Sequence, residues 1–131
     1  LGTVGVQLGT RFLVAKECGV HQNYNNKILK ANDIATMTTG KRLGHPVRSI
    51  KNQYTKEYFR LEYSSISDEE LEAYGRGALR RSAVEGDEKT GCFLAGQIAG
   101  MVNREQPAKE IIEEIFREAE DVLNGATKWV K

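Results

Sequence analysis

The sequence predicts an α/β fold, on three observations. Residues 4–8 alternate Val or Leu with Gly and Gln, which is the two-residue period of a strand. Residues 107–125 repeat apolar side chains every three or four positions, which predicts a long amphipathic helix. Shorter helical and extended patterns lie between them. Because one strand alone leaves its backbone groups unpaired, we expect the other strands of its sheet to lie outside this chain or to come from another chain.

Composition narrows the class of protein. The chain has 131 residues, of which 40% are hydrophobic and 28% charged, and its net charge is +1. These values suit one globular domain, or a piece of a larger one, and not a disordered chain. No apolar run reaches the roughly 18 residues of a membrane span, and the first residues lack a charged and then apolar pattern, so we expect neither a membrane span nor a signal peptide. Cys18 and Cys92 lack the spacing of metal ligands, so we expect free thiols, a cytoplasmic location and no metal site.

The charges are distributed unevenly. Residues 1–60 carry ten Lys and Arg against three Asp and Glu, whereas residues 61–131 carry nine against fifteen. This asymmetry indicates either a surface that faces an anion or two halves that neutralise each other when packed.

The elements of the first half follow from local pattern. The chain begins without Met, and Leu1-Gly2 is typical of a helix end with its C′ glycine, so we expect a truncated start. After the strand, residues 10–15 predict an apolar turn into a short helix. Helices are predicted over 21–31 and 53–63. Residues 34–50, which contain Pro46, predict two short strands or an extended loop.

The second half predicts three helices. Ser67 and Glu70 form a capping box, and the helix that follows is expected to end at Gly86. Residues 91–102 are apolar and contain three glycines, which predicts a helix buried in protein. Pro107 occupies the first turn of the terminal helix, which ends near Gly125.

The segment that carries chemistry is Gln-Leu-Gly-Thr at residues 7–10. A strand that ends in Gly-Thr presents free backbone N–H groups and a hydroxyl, which can hold a phosphate dianion. In a (β/α)8 barrel, the loops after strands seven and eight commonly bind phosphate. By itself, however, the motif is also compatible with an ordinary tight strand exit.

Four separated segments together resemble a known family: LGTVGVQLGTRF with AKE at 1–17, KILKA at 27–31, GHPVRSIKN at 44–52 and AGQIAG at 95–100. In this order they are similar to the carboxyl-terminal portion of the FMN-dependent enoyl-acyl-carrier-protein reductases. Those enzymes belong to the nitronate monooxygenase, or 2-nitropropane dioxygenase, superfamily of barrel flavoproteins. The resemblance covers essentially the whole chain.

The resemblance implies the last strand and closing helices of a TIM-type (β/α)8 barrel, with a mainly helical lid. Residues 1–18 would form barrel strand eight and its following turn, residues 19–90 the lid over the substrate, and residues 91–131 helices that return to the barrel wall. The first seven barrel strands and the loop with the family's active-site histidine match nothing in this chain. We therefore expect no catalytic residue here.

The resemblance also implies site residues. Four residues are expected to hold the FMN phosphate: Gln7, Leu8, Gly9 and Thr10. Three are candidates for substrate contact, although a structural loop, a solvated face and close packing would equally explain them: His45, Arg48 and Gln97. The basic segment at 41–60, with its interleaved aromatic residues, is either a solvated lid face or a surface for acidic acyl carrier protein or dinucleotide phosphates; we expect neither nucleic acid nor a membrane as partner.

The function that the resemblance implies is reduction of trans-2-enoyl thioesters on acyl carrier protein, in bacterial fatty-acid synthesis, with FMN as cofactor and NADH or NADPH as reductant. Two alternatives stay open, namely a nitronate monooxygenase of the same fold and a non-catalytic isolated fragment. We expect the chain alone to be inactive, and to form a homodimer or associate with the rest of the barrel.

Overall fold

The computed structural model of the protein describes residues 2–126 and residue 128. Two 3-10 helices, five α-helices and two strands follow in chain order: a first 3-10 helix Thr10–Val14, α1 Gln22–Leu29, β1 Thr36–Thr39, β2 Val47–Ile50, α2 Gln53–Glu62, α3 Asp68–Gly75, α4 Ala78–Ala83, a second 3-10 helix Gln97–Met101 and α5 Ala108–Ala126. The helix end predicted at Leu1 lies outside the described residues. None of the helices in the described ranges has the length and apolar character needed to cross a membrane.

A small antiparallel sheet lies at the centre of the fold. β1 and β2 pair from Thr36 with Ile50 to Thr39 with Val47, so of the two alternatives predicted for residues 34–50 the structure has the two short strands. The other edge of β2 is covered by residues 93–95, since the Ile50 N–H donates to the Phe93 carbonyl at 2.8 Å. The Ala95 N–H likewise donates to the Arg48 carbonyl at 3.1 Å. β2 is therefore hydrogen-bonded on both edges.

Two apolar clusters form the core. The first joins the first 3-10 helix, α1, β2 and the segment after residue 92, and contains Val14, Tyr24, Ile28, Ile50, Phe93, Ala95, Ala99 and Val102. The second lies among α2, α3 and α4 and contains Tyr54, Tyr58, Leu71, Ala78 and Cys92. Burial raises the pKa of the Cys92 thiol, which is consistent with its expected role as inert packing.

The helix starts follow the predicted capping chemistry. Ser67 accepts from the Glu70 N–H while the Glu70 carboxylate accepts from the Ser67 N–H, which confirms the capping box before α3. Asn52 and Thr55 make the corresponding pair of bonds at the start of α2. Side chains local in sequence thus satisfy the first N–H groups of both helices.

The single helix predicted between Ser67 and Gly86 is wrong. α3 ends at Gly75 and α4 begins at Ala78. Gly77 between them has a φ of 75°, in the left-handed region that a continuing right-handed helix excludes. The capping pattern marks the start of the first helix correctly, but the glycine at 77 divides the apolar stripe into two.

The helix predicted over residues 91–102 is also wrong. Residues 93–95 are extended along β2, and only Gln97–Met101 coil into a 3-10 helix. The glycines instead allow the backbone of other segments to lie close to this one. A Cβ on Gly91 would lie 2.8 Å from the Ser82 nitrogen, and one on Gly100 would lie 2.6 Å from the Asn32 carbonyl carbon.

The strand predicted over residues 4–8 is not formed in this chain. Residues 2–9 have no regular secondary structure, and both Val4 and Val6 are exposed. The physical reason is that no described residue offers this segment a neighbouring strand, so its backbone groups have no ladder to join.

α5 confirms the predicted terminal helix and leaves an apolar stripe uncovered. Its first turn is docked, because the Glu17 carboxylate accepts from the Ala108 N–H at 2.8 Å and Ile111 is buried. Farther along, Phe116 is 68% exposed and Leu123 is 71% exposed. Within the described residues, therefore, the stripe packs against the domain only at its amino-terminal end.

Glu17→Ala is expected to lower the free energy of unfolding by about 1 kcal/mol, because the Ala108 N–H loses its only side-chain cap. Urea unfolding followed by circular dichroism measures the change. Glu113→Ala is the control, since Glu113 is exposed on the same helix and lies 3.7 Å from Lys109. It should change stability by less than about 0.5 kcal/mol. Equal losses for the two variants would contradict the assigned cap.

Candidate functional site

The candidate phosphate turn lies at the start of the first 3-10 helix. Gly9 is the residue before the helix, and the first internal bond runs from the Phe12 N–H to the Gly9 carbonyl at 3.0 Å. The N–H groups of Thr10 and Arg11 precede that bond, so they are left for an acceptor outside the helix. A Cβ built on Gly9 meets nothing within 4 Å. The space next to Gly9, at the start of this helix, is therefore open.

The Thr10 hydroxyl joins this turn to the segment that lines β2. Its Oγ1 accepts from the Gly96 N–H at 2.9 Å. Because the oxygen acts as an acceptor in that bond, the hydroxyl hydrogen remains available to donate to an anion. Gly96 begins the second 3-10 helix, so two helix starts meet at Thr10.

The residues present fit one side of a phosphate site. The two backbone N–H groups and the Thr10 hydroxyl are neutral donors of the kind that hold a phosphate dianion. Gln7, Leu8 and Gly9 are exposed, which leaves the turn accessible. The four residues predicted to hold FMN phosphate are thus contiguous and open in the structure, and their role stays a prediction.

A polar network behind the turn holds it against α5. Arg11 donates to the Arg104 carbonyl at 3.3 Å and to the Gln106 side chain, while the Arg104 guanidinium pairs with Glu114. Bonds from Arg104 and Gln106 lower the pKa of the Glu114 carboxyl. Partial burial lowers the pKa of Arg11. The Arg11 guanidinium therefore forms its hydrogen bonds on the side that faces α5. Together with Leu8 and Ile115 it lines an open groove of about 550 Å³.

Two of the three candidate substrate residues, His45 and Gln97, lie toward the hairpin end of the small sheet, and Arg48 lies within β2. His45 is exposed in the turn between β1 and β2. Arg48 lies in β2, and its guanidinium donates to the Thr36 hydroxyl at 3.2 Å. The segment after residue 92 runs antiparallel to β2, with Leu94 opposite Ser49 and Ala95 bonded to Arg48. It therefore reaches Gly96 beside the hairpin turn, and exposed Gln97 follows at the same end of the sheet as His45.

The end of the small sheet next to the hairpin turn also contacts the candidate phosphate turn at residues 7–10. Gly96, at the end of the segment paired with β2, donates to Thr10. The structure therefore brings the 95–100 segment and the 7–10 motif into direct contact, and places the hairpin turn at the same end of the sheet. Arg48, in contrast, is half-buried and bonded within the sheet, which makes it the least available of the three candidates for substrate.

Glu62 is a residue that sequence reasoning missed. Its side chain is buried at 3% exposure, and its two carboxylate oxygens accept from the N–H groups of Arg42 at 2.8 Å and Gly40 at 3.2 Å. Tyr54, Tyr58 and Glu62 recur every four residues on the buried face of α2. A carboxylate on an apolar stripe is the signal that could have found it. Burial, together with the Glu62 charge, raises the pKa of Tyr58.

The basic segment is partly neutralised by local partners. Arg42 pairs with Asp68 at 2.8 Å, and Arg60 pairs with Glu57 at 2.6 Å. Three exposed lysines of the segment have no ion pair among the residues that the structure describes: Lys41, Lys51 and Lys56. The free positive charge on this face is therefore smaller than the sequence count suggests.

The structure is an α/β arrangement of a small antiparallel sheet and surrounding helices, with an open candidate phosphate turn at residues 7–10. Comparison with known sequences makes the family explicit, because the profile of the family described as "Nitronate monooxygenase" matches residues 1–118. The chain belongs to this family, which confirms the predicted superfamily. The predicted fold class, a partial TIM-type barrel with a lid, is also confirmed by the solved structures that it matches.

Individual relatives match most of the chain. The chain is 35% identical to FabK from Thermotoga maritima, with a TM-score of 0.89, over 95% of this chain and 39% of that one. A "Probable nitronate monooxygenase" of Staphylococcus saprophyticus is 29% identical over 125 residues, 95% of this chain and 35% of the relative. A protein of the same name from Bacillus subtilis is 25% identical over 118 residues, 90% of this chain and 34% of the relative. The chain thus spans little more than a third of the length of these relatives.

Thr10→Val is expected to speed hydrogen exchange of the Gly96 amide by about tenfold, because valine keeps the shape of threonine but has no acceptor. Exchange measured by NMR at the Gly96 amide reports this bond directly. Thr10→Ser is the matched control, since it keeps Oγ and should retain the protection. Slow exchange in both variants would show that the bond does not hold the two segments together.

Proposed function

We propose that the protein is an FMN-dependent enoyl-acyl-carrier-protein reductase, to which this chain contributes one side of the phosphate site and the lid. The observation that carries the proposal is the match to FabK, the structural relative from the group of reductases that the sequence motifs resemble. The match has a TM-score of 0.89 and covers 95% of the chain, so it is not confined to one element of the fold.

The residues of this chain would bind and orient rather than react. The N–H groups of Thr10 and Arg11 and the Thr10 hydroxyl would donate to the FMN phosphate. Bound FMN supplies hydride transfer from NADH or NADPH to the β-carbon of the enoyl thioester. His45 and Gln97, at the sheet end that adjoins the turn, would contact the acyl substrate.

The exposed lysines suit an acidic protein partner. Lys41, Lys51 and Lys56 are free of ion pairs within the described ranges, and they lie on and beside the hairpin and α2. Positive charge of this kind speeds encounter with an acidic acyl carrier protein. We propose that carrier protein as the partner that delivers the thioester.

A nitronate monooxygenase is the second candidate, favoured by the names of the curated relatives in Staphylococcus and Bacillus. Both reactions would use the same phosphate turn. They differ in substrate, because a nitronate is a small anion whereas an enoyl thioester is neutral at its reacting end and carries a long pantetheine arm.

A paired assay of the flavin-loaded protein separates the two reactions. Oxidation of NADH or NADPH is followed with an enoyl thioester without oxygen, and oxygen uptake is followed with an alkyl nitronate without nicotinamide. Turnover of the thioester alone supports the reductase, and turnover of the nitronate alone supports the monooxygenase. A protein that never retains flavin would instead favour the non-catalytic reading.

Gly9→Glu is expected to abolish FMN retention, because the new side chain fills the open approach to the turn and its charge repels phosphate. Flavin absorbance of the purified protein measures the loss. Gly19→Glu is the control, since a Cβ at Gly19 also meets nothing within 4 Å but lies away from the turn in sequence. A Gly9→Glu protein that purifies with one FMN per chain would refute the phosphate assignment.

Salt is expected to raise the KM for a carrier-bound enoyl thioester several-fold between about 50 and about 200 mM NaCl, because ions screen the exposed lysines. A short thioester without a carrier should show little change. In a Lys51→Gln, Lys56→Gln double variant the salt effect on the carrier-bound substrate should shrink. Identical salt sensitivity for the two substrates would mean that these lysines form a plain solvated face.

A further inference from the structure

Glu62 is a buried acid without a basic side-chain partner among the described residues. It is 3% exposed, and its oxygens accept only from the backbone N–H groups of Gly40 and Arg42. The Arg42 guanidinium turns away from it toward Asp68. A buried carboxylate is costly unless it is fully hydrogen-bonded, so its presence indicates that these two bonds are needed.

The bonds from Glu62 reach His45 in one further step. The Gly40 N–H donates to Glu62, and the Gly40 carbonyl accepts from the His45 N–H at 3.0 Å. Gly40 has a φ of 81°, and a Cβ there would lie 2.5 Å from the His45 carbonyl oxygen. Only glycine fits this closure, so the backbone of the turn at residues 40–46 is tightly specified.

The Arg42 side chain also joins the turn at residues 40–46 to the segment at residues 64–68. Its guanidinium donates to Asp68 at 2.8 Å, to the Ser64 carbonyl at 3.2 Å and to the Ile66 carbonyl at 2.6 Å. All three acceptors lie between the end of α2 and the start of α3. Gly40 and Arg42 are therefore both held, whereas His45, whose N–H closes the turn on the Gly40 carbonyl, is itself exposed.

We propose that Glu62 is a positioning residue, which fixes the turn at residues 40–46 so that His45 is oriented for the acyl substrate before binding. A contact residue whose backbone is already held in its bound conformation loses less entropy when substrate arrives. The inference rests on the proposed function, because it takes His45 as a substrate contact. The structural part of the inference, namely that the bonds from Glu62 stabilise the turn, is measurable without any activity.

Hydrogen exchange tests the hold on the turn. Glu62→Gln keeps the shape of the side chain but removes the charge that strengthens both bonds, so the Gly40 and Arg42 amides should exchange at least about tenfold faster. Ser82→Ala is the control for general loss of lid stability. Ser82 is buried and its hydroxyl donates to the Cys92 carbonyl at 2.5 Å, with no bond to the turn.

Kinetics of the flavin-loaded protein test the role of the turn. Glu62→Gln is expected to raise the KM for an enoyl thioester about five- to tenfold with a smaller change in kcat. His45→Ala should do the same, and the double variant should be no worse than His45→Ala alone, because both act through one contact. Gly40→Ala, which strains the turn at the Glu62 contact while the Glu62 side chain is kept, should reproduce the rise, and Ser82→Ala should not.

The outcomes separate the inference from the proposed function. Unchanged exchange at Gly40 and Arg42 in Glu62→Gln overturns the inference, and so do additive effects of Glu62→Gln and His45→Ala on KM. Accelerated exchange in a protein that turns over no enoyl thioester overturns the proposed reaction instead, and supports the hold of Glu62 on the turn.

Discussion

Ile50 donates its N–H to Phe93 at 2.8 Å and Ala95 donates to Arg48 at 3.1 Å, so that β2 is paired on both edges. Much of the structure depends on this pairing, because it joins segments more than forty residues apart in sequence. Phe93 enters the first apolar cluster and Cys92 the second. The same register delivers Gly96 to the Thr10 hydroxyl, and so connects the sheet to the candidate phosphate turn.

Buried polar side chains shape the loops around that sheet. The Asn52 amide donates to the carbonyls of Glu88 and Gly91, and the Ser82 hydroxyl donates to that of Cys92. Glu62 accepts from two N–H groups of the hairpin turn. These bonds join a side chain on a helix, or at its cap, to the backbone of a distant loop. Buried polar groups need partners, so such bonds specify loop conformation as well as stabilise it.

The geometry at the candidate phosphate turn is compatible with the predicted role of residues 7–10, which stays a prediction. Gly9 gives open access, Thr10 keeps a donor hydrogen, and Arg11 is engaged toward α5. Backbone N–H groups and a hydroxyl of this kind can donate to one side of an anion. The uncovered apolar side chains of α5 and the unpaired residues 2–9 correspond to the expectation that further barrel strands belong beside this chain.

The sequence by itself determined what local physics controls: the capping box at Ser67, the 3.6-residue period of α5 and the Gly-Thr motif with its family resemblance. For residues 34–50 it left two short strands and an extended loop as alternatives, and the structure decided for the strands. It did not determine how residues 91–102 fold, because their glycines are required by Ser82 and Asn32, which only the tertiary structure brings close. Nor did it predict that α3 and α4 separate at Gly77. The contact of Thr10 with Gly96 and of Glu62 with the hairpin turn spans 86 and about 20 residues, respectively. Such bonds exist only once the sheet has formed, and therefore the tertiary structure alone decided which site residues meet.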